Sequence, residues 1–424
     1  MGIGSVSSER VAVGPTDTAD EIAAAVRDWV DQYVPAPWRE AAADGAAALR
    51  AVRSIDDYTT WYPVFGRSGL VVPTWPVAYG GLDLPGPLAK VVDAELRPYN
   101  LGRLNALGLN QAAHALFNHG TEEQRLRFLP PIVRNEEVWC QLFSEPGAGS
   151  DLASLACRAV RDGDEWIVSG QKIWTTWAHL ADFAVLIART DPDAPKHKGI
   201  TFFMIDMHQP GIEVRPLYDM RDAVDVNEVF LDEARVPDSY RVGELGEGWR
   251  VANSALSGER QMVAGSGSGG VDRIGGSGID QIIVLAKERG VAADPTVRQS
   301  LMSLYSEDKV RRWTNDRVRA TLKAGLPPGP ESSVGKVHQA ALNQRMQTFA
   351  VQLLGAEATA WASAEKRYGT SLPPVVKGML RSVANTIEGG TTEVNKNILG
   401  ERVLGLPREP DPWRGAPWRE TPRS

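Results

Sequence analysis

Two neighbouring stretches combine residue types that could bind a flat or anionic ligand. Residues Ser144 to Asp151 read SEPGAGSD and place a hydroxyl, a turn stiffened by proline and two glycines close together. Glycine lets backbone N–H groups approach a ligand closely, and successive N–H groups form a concave anion site. Residues Lys172 to Thr176 read KIWTT and place a large aromatic side chain beside two hydroxyls. A hairpin turning at Asp162–Gly163–Asp164 joins the stretches, and core packing of the tryptophan is the structural alternative.

Two later stretches carry carboxylates that could act as a base. Leu256 to Arg260 reads LSGER, and Asn385 to Glu393 reads NTIEGGTTE. A Glu–Arg pair on a helix, such as Glu259–Arg260, is most often a solvated ion pair.

The composition argues against several classes of protein. The net charge of −7 is unlike that of nucleic-acid-binding proteins, which usually have a basic face. No apolar run is long enough to span a bilayer, and the N-terminus lacks a signal-peptide pattern. Cys140 and Cys157 are the only cysteines, and the six histidines show no metal-ligand spacing. We therefore expect a cytoplasmic protein without a metal site.

The pattern of apolar residues divides the 424-residue chain into three regions and two ends. Residues 18–135 show helical periodicity, after a polar stretch over 1–17 that we expect to be disordered. Short apolar runs over 136–242 predict a small β-barrel-like domain. Helical patterns return over 243–405, and 406–424 form a tail. The fold class predicted is α+β.

Local signals place individual helices within these regions. Thr18 to Glu21 and Thr121 to Gln124 are capping-box signatures. Residues 265–270 (GSGSGG) formally match G-x-G-x-x-G, but no strand precedes them, which argues against a dinucleotide site. The predicted C-terminal helices cover 250–264, 278–289, 294–324, 334–368, 374–387 and 391–403.

These motifs, in this order, resemble the acyl-CoA dehydrogenase family. The resemblance is carried by SEPGAGSD followed by KIWTT, and by GLVVPTWPVAYGG (69–81) followed by GTEEQ (120–124). It extends over nearly the whole chain. It implies an N-terminal helical domain, a middle β domain and a C-terminal four-helix bundle.

The family resemblance also implies a cofactor and a reaction. Such enzymes bind FAD, remove a proton and a hydride from an acyl-CoA thioester to give a trans-2-enoyl-CoA, and pass electrons to an electron-transferring flavoprotein. Trp174 would cover one flavin face, Thr176 would reach N5, and Ser150 would contact the phosphates. The implied FAD-binding residues are Phe143, Ser144, Gly149, Ser150, Trp174, Thr176, Arg289, Gln352, Gly355, Thr391 and Glu393. Ser150 and Arg260 are the implied substrate contacts.

The position of the base distinguishes branches of the family. Many members have a Tyr-Glu-Gly-Thr motif whose Glu is the base, and that position here is Gly389. Glu388 lies one residue earlier, a shift that rotates a helical side chain by about 100°. In other branches the catalytic Glu lies on the first long helix of the C-terminal domain, just before an Arg. The resemblance therefore implies Glu259 as the base, with the Gly389 N–H donating to the thioester carbonyl.

Departures from the family pattern leave alternatives open. Arg289 matches an Arg that contacts the FAD of a neighbouring subunit, but Val291, Ala292 and Ala293 replace the residues expected after it. The resemblance implies a homo-oligomer, either a dimer or a tetramer. The alternative is a heterotetramer with a paralogue, in which this chain has limited or no activity alone. Another flavin chemistry, such as oxidation by O₂, is also compatible with the fold. A branched or steroid-derived acyl group is the expected substrate.

Overall fold

The computed structural model describes residues 9–263, 276–323, 329–330, 332–360 and 372–422. Helices cover the N-terminal region, and both predicted capping boxes are present, at Thr18 and at Thr121. The helices are α1 (Ala19–Tyr33), α2 (Ala36–Ala43), α3 (Ala46–Val52), α4 (Ile55–Arg67), α5 (Gly86–Leu96), α6 (Ala113–His119) and α7 (Glu122–Arg134).

The prediction of disorder over 1–17 is wrong for residues 9–17. Val11 is buried, and its N–H donates to the Ser68 carbonyl over 3.0 Å. Glu9 forms an ion pair with Arg67 at 2.9 Å, and its carbonyl accepts the Trp29 indole N–H at 2.7 Å. One apolar anchor and these polar contacts offset the entropy of ordering this segment.

Within the described residues the middle region forms one eight-stranded sheet. The strand order is β6-β7-β3-β2-β4-β5-β8, with β1 parallel to β4. The predicted β domain and the α+β fold class are confirmed, but the strands form an open sheet with β6 and β8 at its edges and not a barrel. The strands are β1 (Trp139–Leu142), β2 (Arg158–Asp162), β3 (Glu165–Thr176), β4 (Phe183–Arg189), β5 (Ile200–Asp206), β6 (Ile212–Leu217), β7 (Val226–Pro237) and β8 (Arg241–Val242). β2 and β3 form the predicted hairpin, which turns at Gly163 and Asp164.

The C-terminal region is helical again. Its first helix contributes Val251 and Ala255 to a core shared with the N-terminal helices and the sheet. The helix predicted over 334–368 ends earlier, because Gly355 adopts a left-handed backbone (φ +59°) and begins a short 3₁₀ turn. The helices are α8 (Gly248–Val263), α9 (Ile279–Glu288), α10 (Pro295–Lys323), α11 (Ser332–Leu354), α12 (Pro374–Ser382) and α13 (Thr392–Ile398). Residues 265–270 lie outside the described residues.

Among the described residues, no helix is both long enough and apolar enough to cross a bilayer.

Candidate active site

The SEPGAGSD stretch (144–151) and the KIWTT stretch (172–176) lie side by side. The turn after β1 is closed by two backbone hydrogen bonds, in which Glu145 and Ala148 each donate to the other at 3.1 and 3.0 Å. The Ile173 N–H donates to the Ser144 carbonyl at 2.9 Å, so Ser144 lies against the strand one residue before Trp174. Gly149 and Ser150 are exposed, and a Cβ at Gly149 would meet no atom within 4 Å. The turn therefore offers open backbone to a ligand.

A buried ion pair fixes the turn to β3. Lys172 is fully buried, and its Nζ donates to Glu145 Oε1 at 2.8 Å and to the carbonyls of Phe143 and Ile187 at 3.1 and 2.9 Å. Glu145 also accepts the backbone N–H groups of Ala156 (2.6 Å) and Cys157 (2.9 Å). Both charges are thus fully hydrogen bonded, as burial requires. Both residues lie inside the SEPGAGSD and KIWTT motifs, but nothing in their types or spacing predicts that they pair.

Trp174 faces outward because β3 is bulged at this point. Its φ is +61°, and the register with β7 shifts between Lys172 and Thr175. Positive φ in a bulky residue is rare, costs about 1–3 kcal/mol, and persists where the surrounding structure imposes it. The indole is 64% exposed. β-Bulges are common next to active sites, where they redirect a side chain. Here the bulge turns an aromatic ring towards solvent, where a planar ligand can stack on it.

Trp174→Ala should weaken flavin binding with little effect on stability. An exposed side chain contributes little to folding, whereas stacking on a planar ring contributes about 0.5–1.5 kcal/mol, or roughly 2- to 10-fold in affinity. Fluorescence titration of the apoprotein with FAD and the thermal midpoint measure the two effects. Trp313→Ala is the matched control, since Trp313 on α10 is also 64% exposed. Equal loss of FAD affinity in both variants would contradict the assignment.

Two hydroxyls follow Trp174 on β3. Thr176 is half-buried. Thr175 is buried, and its Oγ1 has no hydrogen-bond partner among the described residues. An exposed indole on the strand next to an open glycine turn fits a planar ring that carries phosphates, as FAD does. The Phe143 side chain, unlike that of Trp174, is not exposed to a ligand. It packs in the core against Phe202, with ring centroids 6.0 Å apart.

The second part of the candidate site is the glycine turn before α13. Gly389 and Gly390 have φ of +62° and +88°, a region that favours glycine. Thr391 caps α13 by accepting the Val394 N–H at 3.2 Å. Glu393 is exposed on the first turn of that helix. A backbone N–H at a left-handed glycine can point at a ligand that a side chain would block.

Glu388 is tied to its own element and to α12. Arg381 donates to its two oxygens at 3.0 and 2.6 Å, and the Asn385 side-chain amide donates at 2.8 Å. Asn385 in turn accepts from the buried Asn343 amide at 2.6 Å. These donors occupy both carboxylate oxygens of Glu388, and the contacts hold the turn at Gly389 in place.

Glu259 and Arg260 lie on α8, near its C-terminal end. Their side chains fall outside the described residues. The assignment of Glu259 as the base and of Arg260 as a substrate contact therefore stays a prediction.

The structure brings Arg289, Gln352 and Gly355 into one region of the C-terminal helices. Arg289 follows α9 and donates to both oxygens of Glu357 at 2.6 Å. Glu357 lies on the 3₁₀ turn that begins at Gly355, and Gln352 is exposed one turn earlier. The Glu357 carboxylate competes with any anion for the Arg289 guanidinium, and no sequence motif indicates this contact.

Three family models match the chain in succession. They describe the N-terminal domain (residues 16–136), the middle domain (140–234) and the C-terminal domain (246–404) of acyl-CoA dehydrogenases.

Individual relatives agree with these matches. The chain is 37% identical to acyl-CoA dehydrogenase FadE34 of Mycobacterium tuberculosis over 80% of its length, but spans only 45% of that protein. It is 31% identical to acyl-CoA dehydrogenase IpdE1 of the same organism, covering 92% of this chain and 98% of the relative.

Solved structures show the same architecture. The Tcur3481-Tcur3483 steroid ACAD is 28% identical, with a TM-score of 0.72, over 92% of this chain and 98% of that one. The ChsE4-ChsE5 complex from Mycobacterium tuberculosis is 26% identical, with a TM-score of 0.67, over 94% of this chain and 100% of that one. The chain therefore belongs to the acyl-CoA dehydrogenase family of flavoprotein oxidoreductases.

Proposed function

We propose that this chain catalyses the FAD-dependent α,β-dehydrogenation of an acyl-CoA thioester to a trans-2-enoyl-CoA. The observation that supports this most is Trp174, held outward on a strained bulge beside the open turn at Gly149 and Ser150. Bound FAD would supply the electron sink that accepts the hydride of the β-carbon. The residues named below bind FAD, orient the acyl-CoA and remove its α-proton.

The proposed roles follow from position and chemistry. Glu259 takes the α-proton, and the N–H of Gly389 donates to the thioester oxygen, where enolate charge develops. Glu388 cannot substitute as the base, because Arg381 and Asn385 hold its carboxylate. Ser150 contacts phosphates, and Thr176 reaches the flavin edge.

One relative supports a proposal for the acyl group of the substrate. One similar structure is a steroid ACAD. We propose a bulky acyl group, either branched or steroid-derived, on the CoA. A base on α8 and glycine at 389 leave room for such a group beside the turn.

The test uses the protein purified alone. Its visible spectrum should show bound flavin, and anaerobic addition of an acyl-CoA should bleach that absorbance. A panel of straight-chain, branched and steroid-type CoA esters identifies the preferred class. Rapid reoxidation of the reduced flavin by O₂ would instead indicate an oxidase.

The second candidate function is that of a partner subunit in a heterotetramer with a paralogue. The ion pair between Arg289 and Glu357 favours it, because it neutralises the cation expected to reach a neighbouring subunit's FAD. A similar structure, ChsE4-ChsE5, is a complex of two differently named chains. A protein that is colourless alone and yellow only with a paralogue would support this function over the first.

Glu357→Gln should strengthen FAD binding by the oligomer. An exposed ion pair is weak, so freeing Arg289 should raise the affinity only modestly, up to roughly fivefold. Titration of apoprotein with FAD measures this, and Glu307→Gln is the control, since Glu307 pairs with Arg345 elsewhere on the bundle. Unchanged affinity in Glu357→Gln would show that the pair is only structural.

A further inference from the structure

A buried chain of side-chain amides runs from α11 to the turn at Gly389. Gln347 and Asn343 lie one turn apart on α11, and they are 0% and 1% exposed. The Gln347 amide donates to Asn343 Oδ1 at 2.9 Å, and the Asn343 amide donates to Asn385 Oδ1 at 2.6 Å. The Asn385 amide then donates to the Glu388 carboxylate at 2.8 Å. The chain of amides therefore joins the interior of the helical bundle to the residue before Gly389.

The three amides all donate in the same direction, towards the Glu388 carboxylate. Hydrogen bonds aligned in this way polarise one another, and in a buried site each is stronger than it would be in water. A charged acceptor at the end strengthens the last of them further. Loss of one amide would leave its buried neighbours unsatisfied, so a break in the chain should be costly.

Two glycines on separate segments make room for the first amide of this chain. A Cβ at Gly276 would lie 2.5 Å from Gln347 Oε1, and a Cβ at Gly378 on α12 would lie 2.9 Å from the same atom. Ser277 fixes the amide, because its N–H donates to Gln347 Oε1 and its carbonyl accepts from Gln347 Nε2, both at 2.9 Å. The orientation of Gln347 is therefore set by the segment before α9 and by α12.

The buried face of α11 has two kinds of position. Leu342 and Met346 are fully buried in the apolar core of the C-terminal helices. Asn343 and Gln347 directly follow them in the chain and are as deeply buried. Because burying an amide costs free energy unless it is hydrogen bonded, apolar residues would serve stability alone more simply. The amides lie where their hydrogen bonds reach the turn, which indicates a role in positioning.

We propose that Asn343 and Gln347 are positioning residues for the reaction, which act on the Gly389 N–H through Asn385 and Glu388. This inference rests on the proposed function for the role of Gly389, whose N–H donates to the thioester oxygen. A donor stabilises developing negative charge only when it is held in the correct place before the reaction. The chain of amides supplies that constraint from the interior of the bundle.

Asn343→Leu and Asn385→Ala should each lower the limiting rate of flavin reduction about 2- to 30-fold, with little change in the half-saturating concentration of acyl-CoA. This range is typical of residues that act through their neighbours, and a loss confined to the rate is expected for a transition-state interaction. Stopped-flow absorbance measures both quantities, with the ester that reduces the wild-type protein fastest. Asn385 is half-buried, so its variant tests the proposal even if Asn343→Leu does not fold.

A double variant and a matched control distinguish positioning from a general loss of stability. If Asn343 acts only through Asn385, Asn343→Leu should cause no further loss of rate in the Asn385→Ala background. Met346→Ala is the control, because it opens a cavity in the apolar core and leaves the chain of amides intact. Its rate should equal that of the wild-type protein. An equal loss of rate in Met346→Ala, or additive losses in the double variant, would overturn the proposal.

Amide hydrogen exchange of the full-length protein without substrate tests the turn independently of catalysis. The Ile387 and Glu388 N–H groups both donate to the Ala384 carbonyl at 2.9 Å, so they are protected. Their exchange should become about tenfold faster in Asn343→Leu and Gln347→Leu, the scale of one lost hydrogen bond, and stay unchanged in the control variant. Unaltered exchange in both variants overturns the proposal. Faster exchange in a protein that no acyl-CoA reduces upholds the link from the amides to the turn and rejects the proposed function.

Discussion

Glu259→Gln should leave the protein yellow while slowing flavin reduction by acyl-CoA about 10²- to 10⁴-fold. This is the usual contribution of a positioned general base, and the amide keeps the size of the side chain but cannot accept the α-proton. Stopped-flow absorbance under anaerobic conditions measures the rate. The flavin content of the variant shows that the cofactor site is intact.

Glu388→Gln is the matched control for the base assignment. Glu388 precedes Gly389, and Arg381 and Asn385 hold its carboxylate, so we expect a loss of less than about tenfold. The reverse order, a large loss in Glu388→Gln and a small one in Glu259→Gln, would place the base at the C-terminal turn. If both variants lose only a little of the flavin-reduction rate, a group other than Glu259 and Glu388 removes the α-proton.

Lys172→Met should destabilise the protein by about 3–5 kcal/mol. The substitution leaves the Glu145 carboxylate buried without its cation, which is the costly case for an ion pair. It also leaves the carbonyls of Phe143 and Ile187 without this donor. Urea unfolding followed by circular dichroism measures the change, and the turn should lose flavin as well.

Two comparisons distinguish the cost of an unpaired buried charge from other effects of the Lys172→Met substitution. Lys196→Met removes the exposed pair with Asp151 and should cost about 0–1 kcal/mol. Glu145→Gln combined with Lys172→Met removes both buried charges and should recover part of the stability that Lys172→Met loses. If Lys172→Met is as stable as Lys196→Met, the buried pair of Lys172 and Glu145 does not stabilise the turn.

Local chemistry could be predicted from the sequence with good accuracy. The hairpin at Gly163 and the capping boxes at Thr18 and Thr121 depend on a few adjacent residues, and the structure confirms them. Each of these features is decided by neighbours in the chain.

Features that depend on distant residues could not be predicted. Whether the sheet stays open depends on whether its edge strands, β6 and β8, pair with each other. The alternation of apolar residues does not reveal strand pairing. The hydrogen bond from the Trp418 indole to the Ser154 carbonyl joins residues 264 positions apart in the chain. The contact of Glu357 with Arg289 likewise joins separate helical elements.

Anaerobic titration of the purified wild-type protein with acyl-CoA esters tests the central claim most directly. The account predicts a yellow protein whose flavin absorbance is bleached by at least one branched or steroid-type ester without any partner chain. A yellow protein that no ester in the panel reduces, or a chain that binds no flavin alone, would contradict it.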